Sequence, residues 1–216
     1  MGKHGIPKEL ILQFQRDFAS ELFVETGTFQ GTTTHWASQH FRNVLTIEAS
    51  PELYHTAKTR LKDCKNIEFK LGSSDAVLEE IANTIEGPTV FWLDGHWSGG
   101  ETYGAQNECP IRGELHAISQ LEHPNLVLID DASYFLAPPP RPHCPEQWPS
   151  LKELMECIDR FAREQHLIVF DDVMIVVRRE EADWLTNQIQ DLRDESASAQ
   201  KSNLYQLLER VMRLNK

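Results

Sequence analysis

The sequence predicts one α/β domain built on a mostly parallel sheet, with an antiparallel hairpin at its C-terminal edge and helices on both faces. Three observations carry this. Short apolar runs alternate with stretches of helical periodicity along the chain. The runs Pro88–Leu93, apolar but for Thr89, and Leu126–Ile129 do not alternate, as strands covered on both faces do not. Two β-rich runs, His166–Phe170 and Val173–Arg178, are separated only by Asp171-Asp172, which is hairpin spacing.

Taken in order, Leu22–Glu25 is a short strand running into a glycine turn, followed by a helix over Thr33–Phe41. Asn43–Ile47 is β-rich and ends at Glu48, and Pro51–Lys62 is a helix opening with proline in its first turn. Asn66–Leu71 alternates like a strand, and Ser74–Ile85 places Val77, Leu78, Ile81 and Ile85 on one helical face. Helices are expected over Pro110–Leu121 and Leu151–Gln165. Beyond Arg179 the chain turns polar, so residues 1–180 are read as the domain and 181–216 as a polar helical extension. Within the extension, Asp191–Ser202 reads as an exposed linker and Asn203–Leu214 as an amphipathic helix compatible with a homodimer.

Composition narrows the function. The 216 residues carry a formal net charge of −12, with 40% hydrophobic and 25% charged residues. A nucleic-acid binder needs Lys and Arg to displace counterions from phosphates, so the acidic balance argues against DNA, RNA and anionic membranes as partners. No apolar run approaches the roughly 20 residues of a membrane span, and Met1–Leu10 has no signal-peptide pattern. The expected location is the cytoplasm. The cysteines, Cys64, Cys109, Cys144 and Cys157, are widely spaced and are expected to be reduced thiols.

The most informative segment is Leu22-Phe-Val-Glu-Thr-Gly-Thr-Phe-Gln-Gly31, a strand, a glycine turn and a helix start. In open α/β sheets ligands bind beyond the carboxyl ends of the strands, at the point where strand order reverses. Glu48, about 20 residues further on at the end of the second strand, is placed to accept hydrogen bonds from ribose hydroxyls. Glu25 stands where a pyrophosphate-binding turn has glycine. A carboxylate there repels a pyrophosphate and suits a cationic ligand.

Glu25-Thr-Gly27-Thr-Phe-Gln-Gly31 resembles the first motif of class I S-adenosylmethionine-dependent methyltransferases, (D/E)-x-G-x-G-x-G, and departs from it at Phe29, where the middle glycine is missing. The variant E-T-G-x-(aromatic)-x-G is similar to that of the macrocin-type sugar O-methyltransferases, a metal-dependent branch. The resemblance spans about Glu21 to Arg178 and implies a Rossmann-like methyltransferase fold. It implies that Glu25, Thr26, Gly27 and Gly31 frame the methionine and ribose portion of S-adenosylmethionine, that Glu48 holds the ribose hydroxyls, and that Ser74 and Asp75 meet the adenine. Asp75 read by itself is equally a carboxylate favoured at a helix N-terminus. Asp94, ending the fourth strand, would face the methionine amino group, the substrate or a metal.

Asp94 opens the run Asp94-Gly-His-Trp-Ser-Gly-Gly100, and the fifth strand runs into Asp130-Asp131. Three carboxylates at one rim repel one another unless a cation lies between them. In the resembled branch an Asp after strand four and an Asp-Asp pair after strand five bind magnesium, which lowers the pKa of a substrate hydroxyl. Asp94, Asp130 and Asp131 are thus the candidate metal ligands, and a solvated turn at Asp130-Asp131 is the bland alternative. His96 is the candidate base for an acceptor hydroxyl, or a fourth metal ligand, or a polar loop residue. With Asp94 it forms the candidate catalytic pair. Gly99, Gly100 and Gly104 suggest a mobile loop, and residues 138–149, rich in proline, form either a substrate lid or a stiff surface excursion.

The expectation is methyl transfer from S-adenosylmethionine to a small molecule, at a hydroxyl of a sugar or natural product, with magnesium as a candidate assistant. A non-catalytic S-adenosylmethionine-binding module and a nicotinamide-dependent oxidoreductase are the alternatives, and Glu25 counts against the second.

Overall fold

Burial follows the sequence pattern strand by strand in the computed structural model, which describes residues 5–97, 107–160 and 164–214, with side chains through Ser198. Strands β1 (Leu22–Thr26), β2 (Asn43–Glu48), β3 (Ile67–Leu71), β4 (Thr89–Leu93), β5 (Asn125–Ile129), β6 (Gln165–Phe170) and β7 (Val173–Arg178) form one sheet. Its order is β3-β2-β1-β4-β5-β7-β6. β1 to β5 are mutually parallel, and β7 runs antiparallel to both β5 and β6. The inner strands β4, β5 and β7 are buried at every residue, whereas the edge strands β3 and β6 are mostly half-buried. Those two runs are therefore central strands, as their lack of alternation requires.

Alternate residues of those strands feed two separate cores. Phe23, Val44, Val90, Trp92, Leu126 and Leu128 point to one face, where they meet Leu10, Ile11 and Phe14 of α1 (Lys8–Asp17), Ala37 of α2 (Thr32–Ser38), and Leu185 and Ile189 of α8 (Ala182–Leu214). Val24, Leu45, Phe91, Leu93, Val127 and Ile129 point to the other. There they meet Leu78 and Ile81 of α4 (Ser74–Ile81), Ile111, Leu115 and Ile118 of α5 (Ile111–Ile118), Phe135 of α6 (Ser133–Leu136), and Leu154 and Ile158 of α7 (Leu151–Asp159). Truncating a fully buried ring such as Phe91 would cost about 3–5 kcal/mol.

The helix starts are set locally. α3 (Pro51–Arg60) opens with Pro51 behind Ser50, whose side chain accepts the Leu53 N–H. α7 opens with a reciprocal capping box between Ser150 and Glu153. The Asp171-Asp172 hairpin turn has both residues in the left-handed region, φ 48° and 65°, the geometry of a two-residue turn matched to strand twist.

Three differences from the sequence pattern have physical reasons. Asp191–Ser202 is not a linker, because α8 runs unbroken from Ala182 to Leu214. The stretch is polar but holds no glycine or proline, and polarity alone does not end a helix. α1 went unrecognised because only Leu10, Ile11 and Phe14 of its ten residues are buried. The helix expected over Ser74–Ile85 is α-helical only to Ile81 and tightens into a 3₁₀ turn over Ala82–Thr84. Among the described residues no helix is long and apolar enough to cross a membrane.

Between β1 and β4 the strand order reverses direction, and the crevice beyond their carboxyl ends collects the candidate site residues.

Candidate active site

The turn after β1 is shaped by its contact with the end of β4. Gly27 has φ +80°, and a Cβ there would collide with the Asp94 carbonyl oxygen. Gly31, φ +72°, caps α2, and its missing side chain lets Leu61 pack against the turn. Phe29, where the motif's middle glycine is missing, also has positive φ, 47°. Its N–H donates to Glu48 Oε2 at 2.8 Å, and the Ser50 N–H donates to Glu48 Oε1 at 2.9 Å. Two backbone donors thus fix the Glu48 carboxylate at the rim and leave lone pairs for a further donor.

Glu25 lies beneath this turn. Its Oε2 accepts hydrogen bonds from the Thr34 and Thr46 hydroxyls, the second at 2.8 Å. Burial pushes its pKa up to about 8 in spite of those bonds, and the charges of Asp94 and Glu48 add to the rise. A fourth carboxylate, Glu114 of α5, escaped the sequence reading. It is 2% exposed, is hydrogen-bonded by Ser74 and Thr26, and its Oε1 has no hydrogen-bond partner among the described residues. Burial raises it to about 6. The available signal was a charge on the apolar stripe Ile111, Glu114, Leu115, Ile118. Ser74 is buried, and Asp75 Oδ1 accepts the Ala76 N–H at 2.9 Å and the Ser73 hydroxyl, so Asp75 sits at the start of α4.

The ends of β4 and β5 form the second half of the rim. His96 Nε2 lies 2.9 Å from Asp131 Oδ2, and its Nδ1 lies 3.7 Å from Asp94 Oδ1. The imidazole is 8% exposed, while the Asp94 and Asp131 side chains are 35% and 34% exposed, so the histidine sits below two carboxylates open to the crevice. Burial pulls the His96 pKa down. The hydrogen bond to Asp131 and the charges of Asp94, Asp131 and Asp130 outweigh it and leave the pKa raised. Burial lifts Asp94 to about 7 and Asp130 to about 6.

The candidate metal ligands do not assemble as a cage. Asp130 Oδ1 accepts the Asp131 N–H at 2.9 Å, and Asp131 Oδ2 is engaged with His96. Among the described residues no group of three or more His, Cys, Asp and Glu side chains is placed to hold one metal ion. As arranged, Asp94, Asp130 and Asp131 therefore do not converge on one cation.

Aromatic rings and Glu108 hold His96 from behind. The imidazole packs 5.4 Å from the Trp148 ring and 6.3 Å from Tyr134, centroid to centroid. Trp148 Nε1 donates to Glu108 Oε2 at 2.9 Å, the Cys144 N–H donates to Glu108 Oε1 at 3.0 Å, and His143 Nδ1 lies 3.3 Å from Oε2. The Glu108 carbonyl accepts the Trp97 N–H at 2.7 Å. Glu108 thus ties the proline-rich segment 138–149, held by its carboxylate, to the strand-four loop, held by its carbonyl. Gly99, Gly100 and Gly104 lie outside the described residues. All four cysteines are free thiols, and burial pushes Cys109 up to about 12, which makes it unreactive.

No protein-family model and no curated protein matches the chain. Solved structures do. It is similar to a SAM-dependent methyltransferase from Aquifex aeolicus, at 14% identity, TM-score 0.50, covering 79% of this chain and 87% of that one. It is similar to a SAH-bound methyltransferase from Podospora anserina, at 16% identity and TM-score 0.52, over 78% and 76% of the two chains. A candidate caffeoyl-CoA O-methyltransferase from Staphylococcus aureus gives TM-score 0.54 at 16% identity, over 79% and 81%. These likenesses establish the fold class: a Rossmann-like sheet of the methyltransferase type.

Proposed function

We propose that this protein transfers a methyl group from S-adenosylmethionine to a hydroxyl of a small molecule. The observation that carries the reading is electrostatic. Glu25, Glu48, Asp94 and Glu114 gather around one glycine turn, three of them buried, and among the described residues no lysine or arginine forms an ion pair with any of them. Carboxylates in that state call for a cationic ligand. S-adenosylmethionine bears an ammonium and a sulfonium, and its sulfonium methyl is the electrophile it supplies when bound. In this reading Glu48 takes the ribose hydroxyls, and Ser74 and Asp75 the adenine. The acidic rim and the net charge of −12 support a small acceptor over a nucleic acid. A soluble cytoplasmic protein, with a dimer through α8, is part of the same reading.

The chain's own groups handle the proton. With Nε2–H donating to Asp131, the Nδ1 lone pair of His96 faces Asp94 across 3.7 Å, too long for a hydrogen bond between them. An acceptor hydroxyl at that gap would give its proton to Nδ1 while its oxygen forms the new O–C bond and the C–S electron pair returns to sulfur. Asp131 and Asp94 would stabilise the imidazolium that results. Magnesium assistance is the competing reading. It would require Asp131 to release His96.

Calorimetry with S-adenosylhomocysteine tests the cofactor. Micromolar binding should fall about 100-fold in Glu48→Ala, in line with about 1.5–3 kcal/mol for a hydrogen bond to a charged group. No binding by folded wild type would refute the reading. Activity that survives EDTA would favour His96 acting alone, and activity recovered only with magnesium would favour the metal.

A further inference from the structure

At the opposite end of the sheet from the rim, where β5 and β6 begin and β7 ends, lies a cavity of about 410 Å³. That volume is in the range of small-molecule sites. The last residue of α5 and the turn after it, residues 118–122, wall it on one side. Polar side chains in a row across the sheet wall it on the other. Gln165 is the register partner of Arg178, and the β5–β7 register, which pairs Val127 with Val176, brings Asn125 opposite Arg178 two residues further on. Val127 and Val176 belong to the core under α5 and α7, so Asn125 and Arg178 point to that same side.

Polar groups on an apolar face need partners. Asn125 and Arg178 are each 8% exposed. Arg178 Nη2 donates to the Leu121 carbonyl at 3.1 Å, which holds the guanidinium against the cavity wall. Asn125 Oδ1 is buried and has no hydrogen-bond partner among the described residues. A guanidinium fork matches a carboxylate, and a lone carbonyl oxygen calls for an N–H or O–H donor. Two further features favour positive charge beside that oxygen. α5 turns its carbonyl end to the cavity, and the exposed Glu122 lines it as well.

We infer that this cavity is a second ligand site, for a free α-amino acid, with the ligand's carboxylate on Arg178 and its ammonium on Asn125 Oδ1. The site is separate from the proposed methyl-transfer site, because β5 spans the roughly 15 Å between Asn125 and Asp130. It uses no residue of the rim and stands whether or not the chain binds S-adenosylmethionine. Without the ligand, Asn125 is a defect of the fold, and with it Asn125 is a specificity group.

The full chain, saturated with S-adenosylhomocysteine to occupy the rim, is screened against the common α-amino acids by ligand-observed NMR, and binders are measured by calorimetry. At least one should bind in the micromolar to millimolar range. Asn125→Leu, which keeps the volume and removes the unpartnered oxygen, should melt at the same or a higher temperature than wild type yet bind at least about tenfold more weakly. Arg178→Lys keeps the charge and loses the fork, and should also weaken binding about tenfold. The amine that corresponds to the bound amino acid without its carboxylate should bind wild type and Arg178→Lys alike. No binding by any amino acid, or binding that both variants leave unchanged, would overturn the site and leave a cavity that holds water only.

Discussion

The two halves of the rim are both acidic, and they are held in different ways. Beyond β1 and β2, Glu25 and Glu48 spend their oxygens on Thr34, Thr46 and the amides of Phe29 and Ser50, all of them fixed parts of the scaffold. Beyond β4 and β5, His96, Asp94 and Asp131 are engaged with one another, and Asp130 with the backbone beside it. Both exposed carboxylates there stand about one-third open to the crevice. The first half is held rigidly by the scaffold, as a preorganised binding site would be. The second half is a set of groups with neighbouring proton affinities, suited to passing a proton.

The sharpest way to separate the halves is to remove His96. His96→Ala should lower kcat by about 10²–10⁴-fold, as loss of a general base does, while S-adenosylhomocysteine affinity stays within about twofold of wild type. A parallel loss of cofactor affinity would show that the two halves are one unit. Asp131→Asn should have a smaller effect, about tenfold in kcat. Because Asp131 raises the His96 pKa, the acidic limb of the kcat–pH profile should move to lower pH in this variant. An unmoved limb would place the titrating base elsewhere.

The smallest effect concerns Glu25 and folding alone. Its folded pKa of about 8 exceeds the ordinary value of 4.5, so the native state holds this proton where the unfolded chain has lost it. The cost of charging it is absent below about pH 4.5, grows as pH rises through that interval, and is complete above about 8. Ligand-free wild type should therefore lose melting temperature between pH 6 and pH 9, and Glu25→Gln should show a flatter profile. Equal slopes would mean that Glu25 ionises without penalty.

Sequence reading reached the first half more fully than the second for a physical reason. Strand period, a glycine turn and an acid at the end of the next strand are local or near-local patterns, and they located the turn at Gly27, the strand end at Glu48 and the order of the strands from β1 through the hairpin. The partners that give the site its electrostatics come from distant positions. Thr46 meets Glu25 across the sheet, Glu114 arrives from α5, and Trp148 packs against His96 with its indole N–H on Glu108, forty residues away in sequence. Asp94, His96 and Asp131 were visible as candidates, but nothing in their spacing indicated that the histidine lies within hydrogen-bond distance of Asp131.

The Asp171-Asp172 hairpin turn lies at the opposite edge of the sheet from Glu48, yet it is joined to the site. The Asp172 carboxylate accepts the Ser133 N–H at 2.7 Å and the Ser133 hydroxyl at 3.1 Å, and its carbonyl accepts the Ala132 N–H at 2.8 Å. Those residues directly follow Asp130 and Asp131. The edge hairpin is therefore a gauge for the loop that carries the candidate residues Asp130 and Asp131, and its length and register are not free to drift as a surface turn's usually are. A one-residue insertion there would displace the carboxylate that orients His96, although every residue that touches a substrate would be unchanged.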